Sequence, residues 1–169
     1  MDPFATLGIA RSYEVDFRAL EKTHRELSRT LHPDRYVATT GSEKREALAR
    51  AVEVNEAWRI VRDPLRRAEA LLRLSGIALG EAVEPSPEPE FLMEMLEQRE
   101  ALSDARGARD RDAVRQLAEA VRRRSSETER ELSSGLAAGV REALVSTLGK
   151  LRFYRRFLDE VSAIEDGLV

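Results

Sequence analysis

The chain contains no cysteine, which excludes a disulfide scaffold and zinc sites built on thiolates. Histidine occurs twice, with no carboxylates at ligand spacing around it, so no metal centre and no bound cofactor are expected. Aromatic residues are scarce at 5%. No apolar run approaches the ~20 residues of a membrane span, so the chain is not expected to cross a bilayer. No strand pattern of period two persists, and there is neither a glycine-rich phosphate cradle nor a motif that places a Ser, Thr or Cys nucleophile. The start, Met1-Asp2-Pro3-Phe4, lacks a basic region with an apolar stretch and lacks an Arg/Ser-rich transit pattern, which makes the cytoplasm the expected location. No single sign of charge dominates: 28 Lys+Arg against 31 Asp+Glu leaves −3, which argues against a dedicated nucleic-acid binder. What is present is 169 residues, 42% hydrophobic and 35% charged, rich in Ala, Leu, Glu and Arg. That is enough chain for a real core, and the composition predicts an all-α fold.

Breakers divide the sequence. Pro33 interrupts one helical stretch, Pro64 marks another boundary, and Glu84-Pro85-Ser86-Pro87-Glu88-Pro89 reads as a stiff linker. The organisation expected is an N-terminal helical-hairpin unit over residues 1–76, a linker over 77–89 and a C-terminal three-helix bundle over 90–169. A short helical turn from Asp2 to Leu7 is closed by Gly8, and Asp16 caps the next helix. Phe17, Leu20, Leu27 and Leu31 share its apolar stripe with His24, read as a core or boundary histidine. Arg18, Lys22, Arg25 and Arg29 recur three or four apart on a different face. This helix must stop near His32, because Pro33 disfavours the helical conformation before it. Residues 35–41 read as a loop, and Leu48, Ala51, Val52, Asn55, Trp58 and Val61 form the stripe of the following helix. Pro64 is well placed to open a last short helix. The bundle helices are expected over 89–105, 110–133 and 138–166. The middle one turns Val114, Leu117, Val121, Thr128 and Leu132 inward, and the last turns Val140, Leu144, Leu148, Leu151, Tyr154, Leu158 and Val161 inward.

The sharpest local signal is His32-Pro33-Asp34, an imidazole and a carboxylate held by proline between two antiparallel helices, one with a basic face. As a bare tripeptide it is weak, and an ordinary polar loop is its bland counterpart. A helical hydrolase using His32 and Asp34 is a rival from another class, but it lacks a placed nucleophile and would show turnover with no partner present. Arg122-Arg123-Arg124 reads as a solvated helix face with no aromatic platform nearby.

At these residues the chain resembles a known family. Leu31-His32-Pro33-Asp34-Arg35-Tyr36 is similar to the signature loop of J-domain co-chaperones, and Asn55-Glu56-Ala57-Trp58 and Asp63-Pro64-Leu65-Arg66-Arg67-Ala68-Glu69 look like that domain's later helices. Phe91-Leu92-Met93-Glu94-Met95-Leu96-Glu97 and Lys150-Leu151-Arg152-Phe153 are similar to the scaffold-binding domain of the HscB family, the J-type co-chaperones of iron–sulfur cluster assembly. The likeness spans nearly the whole chain. It implies a non-enzymatic monomer that stimulates a DnaK-class chaperone ATPase, HscA-type in bacteria, and delivers the IscU-type scaffold protein to it. His32, Pro33 and Asp34 would trigger the partner's ATPase, while Arg18, Lys22, Arg25, Arg29 and Arg35 would steer docking. Arg35 stands where lysine is common in the family; it keeps the charge but not the geometry. The cysteine-rich element of some eukaryotic relatives is missing, so a bacterial-type member is implied.

A second face follows from helical geometry alone. At about 100° per residue, Phe91, Met95 and Leu102 suffice as a bundle seam, which turns Leu92, Met93 and Leu96 outward beside Glu97 and Glu100. Phe153 is likewise rotated away from the seam of the last helix. Exposed apolar groups rimmed by carboxylates mark a protein-binding surface. The resemblance implies scaffold contacts at Leu92, Met93, Leu96, Glu97, Glu100, Asp104 and Phe153, with Asp104 a shorter carboxylate than usual there. A general J-domain co-chaperone with a different client is the alternative, because only this face sets client identity.

Overall fold

The computed structural model describes residues 1–36, 40–80, 88–141 and 143–167, and the fold is all-α. Residues cluster into two compact units, Met1–Ile77 and Ala78–Val169. Most of the expected linker, residues 81–87, lies outside the described residues, as do 37–39 of the expected loop.

In the first unit the helix ends are set by local chemistry. Helix α1 (Pro3–Leu7) starts where the Asp2 carboxylate accepts from the Phe4 and Ala5 amides, and it ends at Gly8, whose φ of +66° costs an L side chain energy. Arg11 Nη2 stands 2.6 Å from the other Asp2 oxygen. Burial of Asp2 opposes its ionisation, but hydrogen bonds from the Ala5 and Phe4 amides and the Arg11 guanidinium outweigh this and hold its carboxyl below the ordinary value. Asp16 caps helix α2 (Phe17–Thr30) through the Arg18 and Ala19 amides at 2.9 and 3.1 Å. After a 3-10 turn at Pro33–Tyr36, Thr40 and Glu43 form a reciprocal capping box that opens helix α3 (Gly41–Arg62). Asp63 then caps helix α4 (Pro64–Leu74), with Pro64 in its first turn.

The core of this unit joins Phe4 and Leu7 of α1, Leu20 and Leu31 of α2 and its cap, and Val54, Ala57 and Val61 of α3. Arg67 of α4 is buried; its Nη1 donates to the Val61 carbonyl at 2.7 Å, and its guanidinium lies 4.7 Å from the Tyr13 ring and 5.4 Å from the Phe17 ring. Two expectations are corrected here. Phe17 is exposed, with Arg67 over its ring rather than core packing around it. Leu48 and Val52 are 57% and 61% exposed, because the buried stripe of α3 runs through Ala47, Val54, Ala57 and Val61. The alanines let the helices approach closely, and a reading led by large residues sets the register of that face wrongly.

In the second unit, helices α5 (Pro89–Gly107), α6 (Arg111–Ala138) and α7 (Leu144–Gly167) form the three-helix bundle. The α5–α6 turn is closed by Arg109 N–H to the Arg106 carbonyl at 3.1 Å and Asp110 N–H to the Ala105 carbonyl at 2.9 Å. Arg109 itself has φ +55°, in the left-handed region that glycine normally fills at this position. We expect Arg109→Gly to raise stability by about 0.5 kcal/mol, as relief of the left-handed strain exceeds the extra unfolded-state entropy. A higher thermal midpoint would show it, and an unchanged or lower one would contradict it.

The α6–α7 boundary differs most from expectation. Helix α6 runs beyond the expected end at 133 and through Gly135, where a Cβ would lie 2.5 Å from Leu144 Cδ2; the glycine makes room for that buried leucine. The helix continues to Ala138 and closes at Gly139 (φ +78°), with the Val140 N–H donating to the Gly135 carbonyl at 3.1 Å. Val140 is therefore exposed and outside α7, not part of its seam. Farther along, Phe157 is fully buried and Leu158 only partly so. The face of α7 packs against both α5 and α6, so its buried arc is wider than a single seam. Arg124 is not a free surface cation either: it forms an ion pair with Glu94 that ties α6 to α5.

Candidate functional site

Two faces, one in each unit, carry the functional candidates. The first is the tip after α2. Leu31 caps α2 and is buried, which anchors the chain just before the turn. The His32 carbonyl accepts from the Arg35 N–H at 3.0 Å, closing the turn opened by Pro33, a residue that restricts its own φ. The His32 and Asp34 side chains are exposed. The Asp34 N–H donates to His32 Nδ1 at 3.3 Å, and Asp34 Oδ2 stands 3.4 Å from the same nitrogen. One ring nitrogen cannot accept the first and donate the second together. A ring with its proton on Nε2 alone accepts from the Asp34 N–H at Nδ1; a ring with a proton on Nδ1 turns it toward the Asp34 carboxylate instead.

Arg18, Lys22, Arg25 and Arg29 are all exposed, and at 100° per residue they fall within an arc of about 60° on α2. Among the described residues none of these four meets a carboxylate within ion-pair distance. Arg35 adds an exposed guanidinium at the tip. The opposite side of α2 is fastened to α3 by the half-buried His24: its ring stacks on Trp58 at 4.6 Å and its Nε2 lies 3.0 Å from Asn55 Oδ1. His24 thus sits at the core boundary and holds the hairpin that presents the tip.

The second face lies on α5. Phe91, Met95, Leu102 and Ala105 are buried in the bundle, so the opposite side of the helix carries Leu92, Met93 and Leu96, which are 37%, 64% and 58% exposed. Glu97, Glu100 and Asp104 are exposed beside them. Lys150 Nζ lies 2.8 Å from Glu88 Oε2, and Arg99 Nε lies 3.7 Å from Glu160 Oε2. The hydrogen bond between Glu88 and Lys150 lowers the carboxyl's pKa and raises the ammonium's. Since Glu88, Leu92, Leu96 and Arg99 share one ridge of α5, and Lys150, Phe153 and Glu160 one ridge of α7, these pairs bring the apolar stripe alongside Phe153. Phe153 is not fully outward as the sequence suggests. It is half-buried, edge-on to Phe91 at 5.8 Å between ring centres. Sequence reasoning missed Arg156, whose guanidinium sits 4.5 Å over the Phe153 ring; the i,i+3 spacing was the available signal.

Among the described residues there is no cluster of three or more His, Asp or Glu side chains fit to hold a metal, and no helix is long and apolar enough to cross a membrane. One face is polar and cationic, the other apolar and acidic.

An all-α chain with these two faces has the design of a helper protein. Residues 87–162 match the family model described as the HSCB C-terminal oligomerisation domain. Over 99% of its length the chain is 33% identical to a co-chaperone protein HscB homolog of Aeromonas hydrophila, covering 98% of that protein. It is 36% identical to one from Azoarcus sp. (strain BH72), over 99% of this chain and 95% of that one. Chaperone HscB from Vibrio cholerae superimposes with a TM-score of 0.90 at 30% identity, each chain covered in full. The human co-chaperone protein HscB does so with a TM-score of 0.90 at 26% identity, over 96% of this chain and 81% of that one. The chain belongs to the HscB family of co-chaperones.

Proposed function

We propose that the chain couples two proteins: a DnaK-class, HscA-type chaperone ATPase and an IscU-type iron–sulfur scaffold protein. On this reading the first unit docks on the chaperone. Arg18, Lys22, Arg25, Arg29 and Arg35 meet an acidic surface, and His32, Pro33 and Asp34 trigger ATP hydrolysis in the partner. The second unit holds the scaffold through Leu92, Met93, Leu96, Phe153, Glu97, Glu100 and Asp104. The functional division follows residues 1–76 and 90–169, joined by 77–89, and the chain acts as a cytoplasmic monomer without catalysis of its own. Holding client and chaperone on one molecule raises the effective concentration of each for the other, which promotes cluster assembly and transfer.

The observation that carries this reading is the solvent exposure of Leu92, Met93 and Leu96 on a helix whose other side is fully packed. Isolated exposed leucines are ordinary; three neighbouring apolar side chains rimmed by three carboxylates are a binding surface. The experiment is a steady-state ATPase assay of the purified HscA-type chaperone with the full chain and the scaffold, added singly and together. We expect each to raise turnover alone, and the pair to exceed the sum of the two. A merely additive response would remove the coupling role. Stimulation by the chain without any binding of the scaffold would favour a J-domain co-chaperone serving another client.

A further inference from the structure

The rim of the apolar stripe differs in charge from one side to the other. On the far side of α5 stand Glu97, Glu100 and Asp104, all exposed. On the α7 side, beyond Phe153, stands Arg156, also exposed. Its guanidinium lies over the Phe153 ring rather than beside a carboxylate, and among the described residues it makes no ion pair. Two further cations along this edge, Arg99 of α5 and Lys150 of α7, are already paired, with Glu160 and Glu88. Cation–π stacking leaves the N–H edges of a guanidinium available, because the attraction uses the flat face of the group. Phe153 is itself fixed edge-on to buried Phe91, so Arg156 is held on a rigid support at little entropic cost.

We propose that Arg156 is a further recognition residue of the client surface, pairing with a carboxylate on the scaffold protein across the stripe from the client's basic groups. The inference rests on the proposed scaffold-binding role of this face and adds a polarity to it. The occupant must present apolar side chains with cations on one flank and a carboxylate on the other. A client approached the wrong way round would bring cation to Arg156 and carboxylate to Glu97, Glu100 and Asp104, and like charges at both rims would reject it. Arg156 therefore fixes the orientation of docking as well as adding affinity.

The test is calorimetric titration of the full chain with the IscU-type scaffold at low and at high salt, for wild type, Arg156→Met, Arg156→Glu and Leu92→Ala. Arg156→Met retains a long side chain to cover Phe153 and removes only the charge. We expect it to weaken binding about threefold at low salt, and Arg156→Glu about tenfold, with both deficits shrinking at high salt. If Leu92→Ala weakens binding while Arg156→Met and Arg156→Glu match wild type, Arg156 has no recognition role and the proposed client surface still stands. A deficit that salt leaves unchanged would assign Arg156 to supporting Phe153 only and would overturn the proposal. If wild type does not bind the scaffold, the functional reading falls and takes this inference with it.

Discussion

His32→Gln is expected to bring the partner's stimulated ATP turnover down by about tenfold or more, to its unassisted rate, as befits loss of a hot-spot contact. Glutamine keeps a donor near the place of the imidazole Nε2. It lacks the ring and the nitrogen that takes the Asp34 N–H at 3.3 Å. The substitution therefore separates a rigid, internally braced tip from a mere hydrogen-bond donor. Asp34→Asn is expected to behave alike, since it removes the carboxylate that a protonated His32 would face at 3.4 Å. Both side chains are exposed, and the turn backbone is closed independently by the Arg35 N–H and the His32 carbonyl. The helical circular dichroism and thermal midpoint should thus be unchanged, and scaffold binding through the other unit retained. Stimulation that survives His32→Gln would take the trigger away from this tip, leaving the cationic face of α2 as a docking surface alone.

The parts legible in the sequence were those decided by neighbours along the chain. Asp16 is readable as a cap because a short carboxylate reaches amides two or three residues on, whatever the rest of the fold does, and Asp2 and Asp63 turn out to cap by the same chemistry. Pro33 and Pro64 end and start helices by their own geometry. The cationic arc of α2 and the outward turn of Leu92, Met93 and Leu96 are likewise fixed once a helix exists. What stayed hidden depended on partners far away in sequence. The middle bundle helix reads as ending at 133 until Leu144 is known to fill the space above Gly135. Leu48 and Val52 read as core until Ala47 and Ala57 are seen to face the neighbouring helices. Phe153 reads as wholly outward until Phe91 is placed edge-on to it. In each case a small residue, or the far side of a ring, carried the contact, and periodicity weighted by size overlooks both.

That last contact decides how the apolar face should be tested. Leu92→Ala with Leu96→Ala is expected to weaken scaffold binding by at least about tenfold while moving the thermal midpoint little. Burying a leucine side chain fully is worth about 1.5–3 kcal/mol; Leu96, 58% exposed in the free chain, has more than half of that gain still to make on binding, and Leu92, 37% exposed, about a third. By the same reasoning shortening Leu96 costs little folding energy and shortening Leu92 somewhat more, still well below the cost of a fully buried leucine. Phe153→Ala is a different experiment. Its ring is half-buried against Phe91 and carries Arg156, so the substitution should cost roughly 1–2 kcal/mol of stability as well as affinity, and its binding loss cannot be read alone. The paired leucine variant isolates the surface from the core, and calorimetric titration with thermal melts of the same samples measures both quantities. A drop in the melting midpoint matching that of a buried leucine would place Leu92 and Leu96 in the bundle's packing. Unchanged affinity would mean the scaffold grips elsewhere, and the exposed stripe on α5 would then need another occupant.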